Sequence, residues 1–325
     1  VRSWLRTALR NPVHGSNGMW TNHANPLLRT LWLRLPPHPL VDRMLLLPGF
    51  VRGHGRLPRH PDSPFAWPSD YVFHRATSDA WSDLERRAVD KITAREIVGE
   101  LVPELKFAPL RAVFDVPPGS GLEDLRELLK PYAGRRLVAK PAHSCGGVLY
   151  LNDEPTTEEW RIFHARCTTD YYVLSRERNY RGMQKRILVE EELGPRGSLY
   201  DVKFRCSRGR VLFANVGYAE GSRRRLGFYS CPEWKPLSFD LPKGARLANE
   251  SRRVDVDSTR PQHLDEMLEF ASRLSRSFEF VRIDFYDGSD GAYFGEFTFA
   301  PTGGRRPLLP NVAANLELAR AIRGR

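Results

Sequence analysis

The sequence predicts an α+β fold with mainly antiparallel sheets, and three patterns carry that expectation. Four Ser/Thr–x–x–Glu/Gln spacings (Thr93 with Glu96, Ser120 with Glu123, Thr156 with Glu159, Thr259 with Gln262) stand before apolar-periodic segments and predict helices starting near 94, 121, 157 and 260. Short apolar runs at 136–140, 147–151, 186–193, 200–206 and 210–218 alternate with them and read as strands, several in hairpin relation. Two further strands, 280–286 and 292–299, flank a turn-forming stretch at 287–291.

With 325 residues and 41% hydrophobic content, the chain can bury a core for one large domain or two modest ones. Its formal charge of +11 favours an acidic partner: nucleotide phosphates, a polyanionic polymer, nucleic acid or an anionic membrane face. Cys145, Cys167, Cys206 and Cys231 show neither a CxxC pair nor zinc-ligand spacing, which argues against a disulfide framework and fits a reducing cytoplasm. No run approaches the roughly twenty apolar residues that span a bilayer. No secretory leader is evident at the start, where the first residue is Val1.

Residues 1–70 are Pro- and Arg-rich and predict short helices broken by prolines. Leu27, Leu28, Leu31, Trp32 and Leu35 make an apolar stripe at helical spacing, read as packing against the main domain. The alternative is a helix lying on a membrane surface, a peripheral contact. His14, His23, His38, His54, His60 and His74 lack any HxxxH or HExxH pattern, so a histidine metal centre is not expected there.

Candidate chemistry begins at Lys140, which ends a strand and opens a small-residue loop through Ser144, Gly146 and Gly147. That order suits a phosphate cradle, in which backbone N–H groups approach the oxygens and the ammonium neutralises charge, although an ordinary glycine hairpin has the same appearance. The apolar strand at 186–193 turns acidic at Glu190, Glu191 and Glu192 before Leu193, and a strand end of this kind can meet an adenine or a ribose hydroxyl. Asp201 and Lys203 share one strand face. In the closing hairpin Val281, Ile283 and Phe285 point one way and Arg282, Asp284 and Tyr286 the other, while Phe294, Glu296 and Thr298 are expected on one face of the second strand. If Tyr286 pairs with Ala292, Asp284 and Glu296 are diagonal neighbours, and two carboxylates that close repel unless a cation lies between them.

The order of these features resembles the ATP-grasp superfamily. More narrowly, Asp90-Lys91…Arg95, VAKPAHSCGG, ILVEEEL, DVKF and VRIDFY…YFGEFTF resemble the TupA-like ATP-grasp family, associated with polysaccharide and teichuronopeptide biosynthesis, over about 71–310. The resemblance implies a nucleotide clasped between two α+β subdomains, at 71–185 with the phosphate loop and at 186–325 with the hinge and metal hairpin, after the 1–70 segment. It implies ATP and Mg²⁺ as cofactors. Lys140 would meet the α/β-phosphates with Lys91 as a second lysine, and residues 144–147 would cover them. Glu190, Glu191, Glu192 and Leu193 would form the adenine hinge, with Asp201 near the ribose and Lys203 facing the phosphates or the reaction centre. Asp284 and Glu296 would hold magnesium, and Thr298 stands where many relatives carry asparagine. The Rossmann-like domain that precedes most ATP-grasp cores is not visible, so acceptor binding does not carry over.

The leading expectation is therefore an ATP-dependent carboxylate–amine ligase working through an acyl-phosphate, on a glycan-linked, amino-acid or other anionic small substrate. Lys140, Lys203 and Arg282 would supply cations, and Arg305 and Arg306 could meet an anionic acceptor. A kinase for a glycan or metabolite hydroxyl is the alternative enzyme. A non-catalytic polyanion-binding module is the alternative of another class, resting on Arg223, Arg224, Arg225 and on Trp20, Trp32, Trp160 and Trp234. No RNP, zinc-finger or helix-turn-helix signature supports specific nucleic-acid binding.

Overall fold

In the computed structural model the described residues are 34–194, 199–220, 223–247 and 260–324, with the side chains of 218–220 and 223–225 outside the description. The expected α+β architecture is present. Strands β1 (Leu110–Asp115), β2 (Leu137–Pro141), β3 (Leu149–Tyr150) and β4 (Arg186–Glu191) form one sheet in the order β1-β4-β2-β3. Strands β5 (Tyr200–Ser207), β6 (Arg210–Glu220), β7 (Arg223–Ser230), β8 (Val281–Gly288) and β9 (Gly291–Thr298) form a second in the order β7-β6-β5-β8-β9. Neighbouring strands in both sheets are antiparallel. The first sheet includes Arg186–Glu191, which the expected boundary at 185/186 assigns to the C-terminal part. Two strands were not anticipated: β1 is a largely exposed edge, and β7 opens on the arginine run that reads as a surface patch.

The described helices are α1 (Pro39–His54), α2 (Pro68–Ala76), α3 (Asp83–Val89), α4 (Thr93–Leu101), α5 (Leu122–Leu129), α6 (Thr157–Thr168), α7 (Tyr171–Ser175), α8 (Leu264–Ser275) and α9 (Val312–Ile322). The α6 capping box is as expected: the Thr156 hydroxyl accepts from Glu159 N–H at 3.2 Å, and Glu159 accepts from Thr156 N–H at 2.9 Å. The others depart from expectation. Asp90, not Thr93, caps α4, accepting from the N–H groups of Ile92 and Thr93 at 2.8 and 3.2 Å. At α5 the Ser120 hydroxyl is spent on Pro117 O, and Asp124 accepts from Gly121 N–H instead. Helix α8 starts at Leu264 because the preceding N–H groups of Gln262 and His263 go to Asp287; Thr259 lies outside the described residues.

Each sheet has one packed face and one polar face. Leu264, Met267, Ala271 and Leu274 of α8 join Val202, Phe204, Val281, Ile283 and Phe285 in the main core. Alternation then leaves Asp201, Lys203, Arg282 and Asp284 on the other side. In the first sheet Leu137, Ala139, Ile187 and Val189 pack with Leu125, Leu129 and Phe163 from α5 and α6, leaving Lys140 and Glu190 opposite.

The N-terminal helices are joined to this frame. Pro39 and Pro68 initiate helices, but Pro48 lies inside α1 without ending it, contrary to the expected break. Most of the expected apolar stripe, Leu27 to Trp32, lies outside the described residues. Asp42 on α1 is fully buried and accepts from the Tyr172 hydroxyl at 2.7 Å, Arg178 Nη1 at 2.7 Å and Arg176 Nη1 at 3.4 Å. Helix α2 closes on the 3₁₀ turn Pro301–Gly304. Gly304, at φ 71°, approaches so near that a Cβ there would stand 2.4 Å from Ser69 O. No described helix is long and apolar enough to cross a membrane.

Removing Asp42 would take the shared buried carboxylate away from two buried guanidinium groups and a tyrosine hydroxyl. Asp42→Ala should cost about 3–5 kcal/mol, measurable as a lowered midpoint in urea unfolding with an unchanged slope.

Candidate functional site

The polar face of the second sheet is an ion-pair cluster set by strand register. Strands β5 and β8 place Lys203 opposite Asp284 and Asp201 opposite Tyr286. The hairpin register differs from expectation: Tyr286 pairs with Tyr293, and a bulge between Asp284 and Phe285 brings Glu296 directly opposite Asp284 rather than diagonal to it. Gly295 is the extra residue, and a Cβ there would stand 2.8 Å from Asp284 O. The bulge also moves Phe294 onto the core face beside Phe285, whereas Glu296 and Thr298 stay on the polar face as expected. The strands pair as far as Gly288 with Gly291, so the connection is only Ser289 and Asp290.

The cation between the two carboxylates is Arg282. Its Nε and Nη2 donate to Asp284 at 2.6 and 2.7 Å, and Nη2 also reaches Glu296 at 3.0 Å. Lys203 Nζ donates to Asp201 and Asp284, each at 2.6 Å. The Thr298 hydroxyl donates to Glu296 at 3.3 Å. Burial opposes ionisation throughout, but the pairing outweighs it: Asp284 is held below the usual carboxylate range by Arg282 and Lys203, and Lys203 is held above its ordinary value by Asp201 and Asp284.

Lys140 and Glu190 of the first sheet form an ion pair, and Glu190 also receives Arg95 Nη2 at 2.6 Å. Burial raises the Glu190 pKa, yet Lys140 and Arg95 bring it below the ordinary value. The Lys140 ammonium stands 5.9 Å from the centre of the Tyr286 ring, so the polar faces of the two sheets meet there. Lys91 ties the two halves: its Nζ donates to Ser144 O at 2.7 Å and lies 3.6 Å from Glu296. Gly146 and Gly147, at φ 76° and 73°, turn the loop back, and a Cβ on Gly147 would meet Arg166 at 2.7 Å.

The structure thus brings together Lys91, Ser144, Lys140, Glu190, Asp201, Lys203, Arg282, Asp284, Glu296 and Thr298. The remaining hinge residues diverge from the cluster. Glu191 pairs with the exposed Arg111, Glu192 lies 3.9 Å from Arg136, and Leu193 follows beyond the strand. A depression of about 460 Å³, lined by Arg95, Phe107, Pro109 and Tyr293, contains none of the cluster residues and is linked to them through the bond of Arg95 to Glu190. Of the four tryptophans named for polyanion binding, Trp20 and Trp32 lie outside the described residues, Trp234 stacks on Tyr229, and Trp160 contacts Phe163.

Two residues were missed. Arg205 lies opposite Arg282, and burial with that guanidinium lowers its pKa to about 9. Continuing the alternation of Asp201 and Lys203 by one step would have found it. Glu177 lies beside Gly303, 3.9 Å from Arg305, with no periodicity to mark it in the sequence.

The donor set suits magnesium. Among the described residues no group of three His, Cys, Asp or Glu could hold a metal, but Mg²⁺ is commonly bound by one or two carboxylates with phosphate oxygens and water. Asp284 and Glu296 offer that pair, with hard oxygen ligands only.

A family model described as TupA-like ATPgrasp matches residues 82–316. No curated protein matches the chain. Among solved structures, the ATP-grasp ligase PsnB complexed with minimal precursor shares 11% identity and a TM-score of 0.38, covering 74% of this chain and 62% of that one. The D-alanine-D-alanine ligase of Helicobacter pylori shares 16% and 0.36, covering 72% and 61%. The D-alanyl-alanine synthetase A of Vibrio cholerae O1 biovar eltor shares 15% and 0.38, covering 73% and 64%. The chain spans a little over three fifths of the length of these proteins.

His143, buried in the loop after Lys140, and His54, stacked on Phe50, are both held down to about 4 from 6.5 by burial. The unfolded chain therefore binds protons between those values that the folded chain refuses. The contribution of these two histidines should be full above pH 6.5 and fall as pH drops toward 4, by roughly 3 kcal/mol per histidine. The difference in melting temperature between wild type and His143→Gln, followed from pH 7 to 4.5, should show the His143 share of this slope.

Proposed function

The chain belongs to the TupA-like ATP-grasp family, and on that premise we propose that it is an ATP-dependent carboxylate–amine ligase, ADP-forming, acting on a glycan-linked, amino-acid or other anionic small substrate. The observation that carries this reading is the direct pairing of Asp284 with Glu296 on a face shared with Lys203 and Arg282 and met by Lys140. Phosphoryl activation of a carboxylate needs little covalent help from protein. It needs in-line positioning and fixed cations where charge develops.

Lys140 would neutralise the α/β-phosphates, with the 141–147 loop held over them through Lys91 and Ser144 O. Asp284 and Glu296, with the Thr298 hydroxyl beside them, would hold magnesium, which supplies charge neutralisation on phosphoryl oxygens. Lys203 and Arg282 would stabilise the charge that develops as the phosphoryl group moves, because both are anchored and need no reorganisation. Glu190 is occupied by Lys140 and Arg95, so it orients the phosphate lysine, while Glu191, Glu192 and Leu193 remain the proposed adenine hinge by backbone contact. Asp201, bonded to Lys203, lies at the proposed ribose side. A cytoplasmic setting and a role in polysaccharide biosynthesis complete the proposal, and the four free cysteines support a reducing compartment.

Mg-ATP at 100 times its Kd should stabilise the protein by about 2.7 kcal/mol, read as a melting-temperature rise that ATP without magnesium does not match. Asp284→Asn and Glu296→Gln should each lower turnover at least about 100-fold while remaining folded. Full turnover in both variants would refute the metal assignment. An amide with free phosphate among the products supports the ligase; a phosphomonoester without free phosphate would make it a kinase.

A further inference from the structure

Glu177 stands between two arginines that are anchored elsewhere. Arg176, in the left-handed region at φ 59°, turns the chain. Arg176 and Arg178 reach Asp42, and Arg178 also donates to Asp79 at 2.5 Å. Glu177 goes instead toward the glycine loop, where a methyl on Gly303 would lie 3.4 Å from its Oε1. It is 2% exposed, its Oε1 has no hydrogen-bond partner, and the Arg305 Nη2 is 3.9 Å away.

Packing does not account for such a group. A buried carboxylate without a donor is costly, and an apolar side chain of similar volume would serve a structural role better. The site beside it also holds unpartnered polar atoms. Thr302 Oγ1 and Ser144 Oγ are buried without partners. Thr302 precedes Gly303, and Ser144 bonds Lys91, which reaches Glu296. Cys145 and Tyr180 each lie within electrostatic reach of Glu177, Glu296 and Arg282. Glu177 is therefore within electrostatic reach of Arg282 and Arg305 and carries an Oε1 whose bonding is incomplete.

Resting on the ligase reading above, we infer that Glu177 receives the acceptor amine, orienting its nitrogen toward the activated carboxyl and taking the proton that the nitrogen must shed. In that step the N–C bond forms and the C–O bond to the phosphoryl group breaks. The electron pair leaves with inorganic phosphate, and the proton passes to Glu177 Oε1. Burial raises the Glu177 carboxyl to about 8 against the pull of Arg305 and Arg282, which makes it a stronger base than an ordinary glutamate. Ser144 and Thr302 would offer hydroxyls to the rest of the acceptor.

The test compares two nucleophiles in wild type and Glu177→Gln, with ATP, magnesium and an equimolar pool of amino acids and glucuronate as carboxylates. Hydroxylamine is unprotonated at neutral pH and, as a strong nucleophile, can release its proton to water after attack, whereas the amines of the amino acids are protonated and depend on a positioned base. Hydroxamate formation by Glu177→Gln should stay within about threefold of wild type while amide formation falls about 100-fold. Its melting temperature should match that of wild type, because the amide keeps the volume and polarity of the buried carboxyl. Should that variant not fold, Glu177→Asp, which misplaces the carboxylate, carries the same comparison. Equal losses of hydroxamate and amide, or undiminished amide formation, overturn the inference and leave the ligase reading standing. Wild-type protein that yields neither product overturns the ligase reading and this inference with it.

Discussion

A guanidinium held between a buried carboxylate and a half-buried one is the interaction on which the polar half of this protein depends. Without Arg282, Asp284 and Glu296 would face each other across a ladder as like charges in a site of low polarity. With it, a chain of charges runs from Asp201 through Lys203, Asp284, Arg282 and Glu296 to Lys91. Alternating sign along that chain lets one sheet face carry five ionisable groups, with Lys91 joining from the turn between α3 and α4. Under the proposed function the same residues would be the cations and oxygen donors of phosphoryl chemistry, so stability and chemistry would draw on one arrangement.

The layering explains why this face is free to be polar. Helix α8 covers the apolar side of the second sheet, and α5 with α6 covers that of the first. Each sheet therefore has a satisfied hydrophobic face, and alternation directs the remaining side chains toward the other sheet. Lys140 against Tyr286 marks where the two polar faces touch. The loop after Lys140 is tied across the gap by Lys91, which donates to one segment and neutralises another.

Much of this was legible because a strand repeats every two residues. Asp201, Lys203, Arg282 and Asp284 fall on one face by alternation alone, and the structure keeps them there. The partner of Asp284 was harder to read. One glycine, Gly295, shifts the ladder by a residue, moving Glu296 from a diagonal to a facing position and returning Phe294 to the core. Nothing in the local pattern announces a bulge, since glycine in a strand also fits plain weakness. Helix starts were legible where the cap is local, as at Thr156, and missed where the cap competes with a distant acceptor, as at Gln262 and His263. Glu177 was invisible because its neighbours come from residues far along the chain: Gly303 and Arg305.

The close approach of Gly304 to Ser69 and Phe73 reaches beyond local packing. The segment that matches the family begins at residue 82, whereas α1 and α2 precede it and press on a loop near its far end. His54 adds a bond at 2.9 Å to Gly304 O, and Gly53 lies against Arg305 O. A boundary of kinship is therefore not a boundary of folding here. The inherited core would supply the nucleotide machinery, and the wall behind the glycine loop comes from outside it. Changes in α1 and α2 can reshape that wall without touching a residue of the matched segment, so under the proposed function they would alter the surroundings of the acceptor and leave the phosphoryl machinery alone.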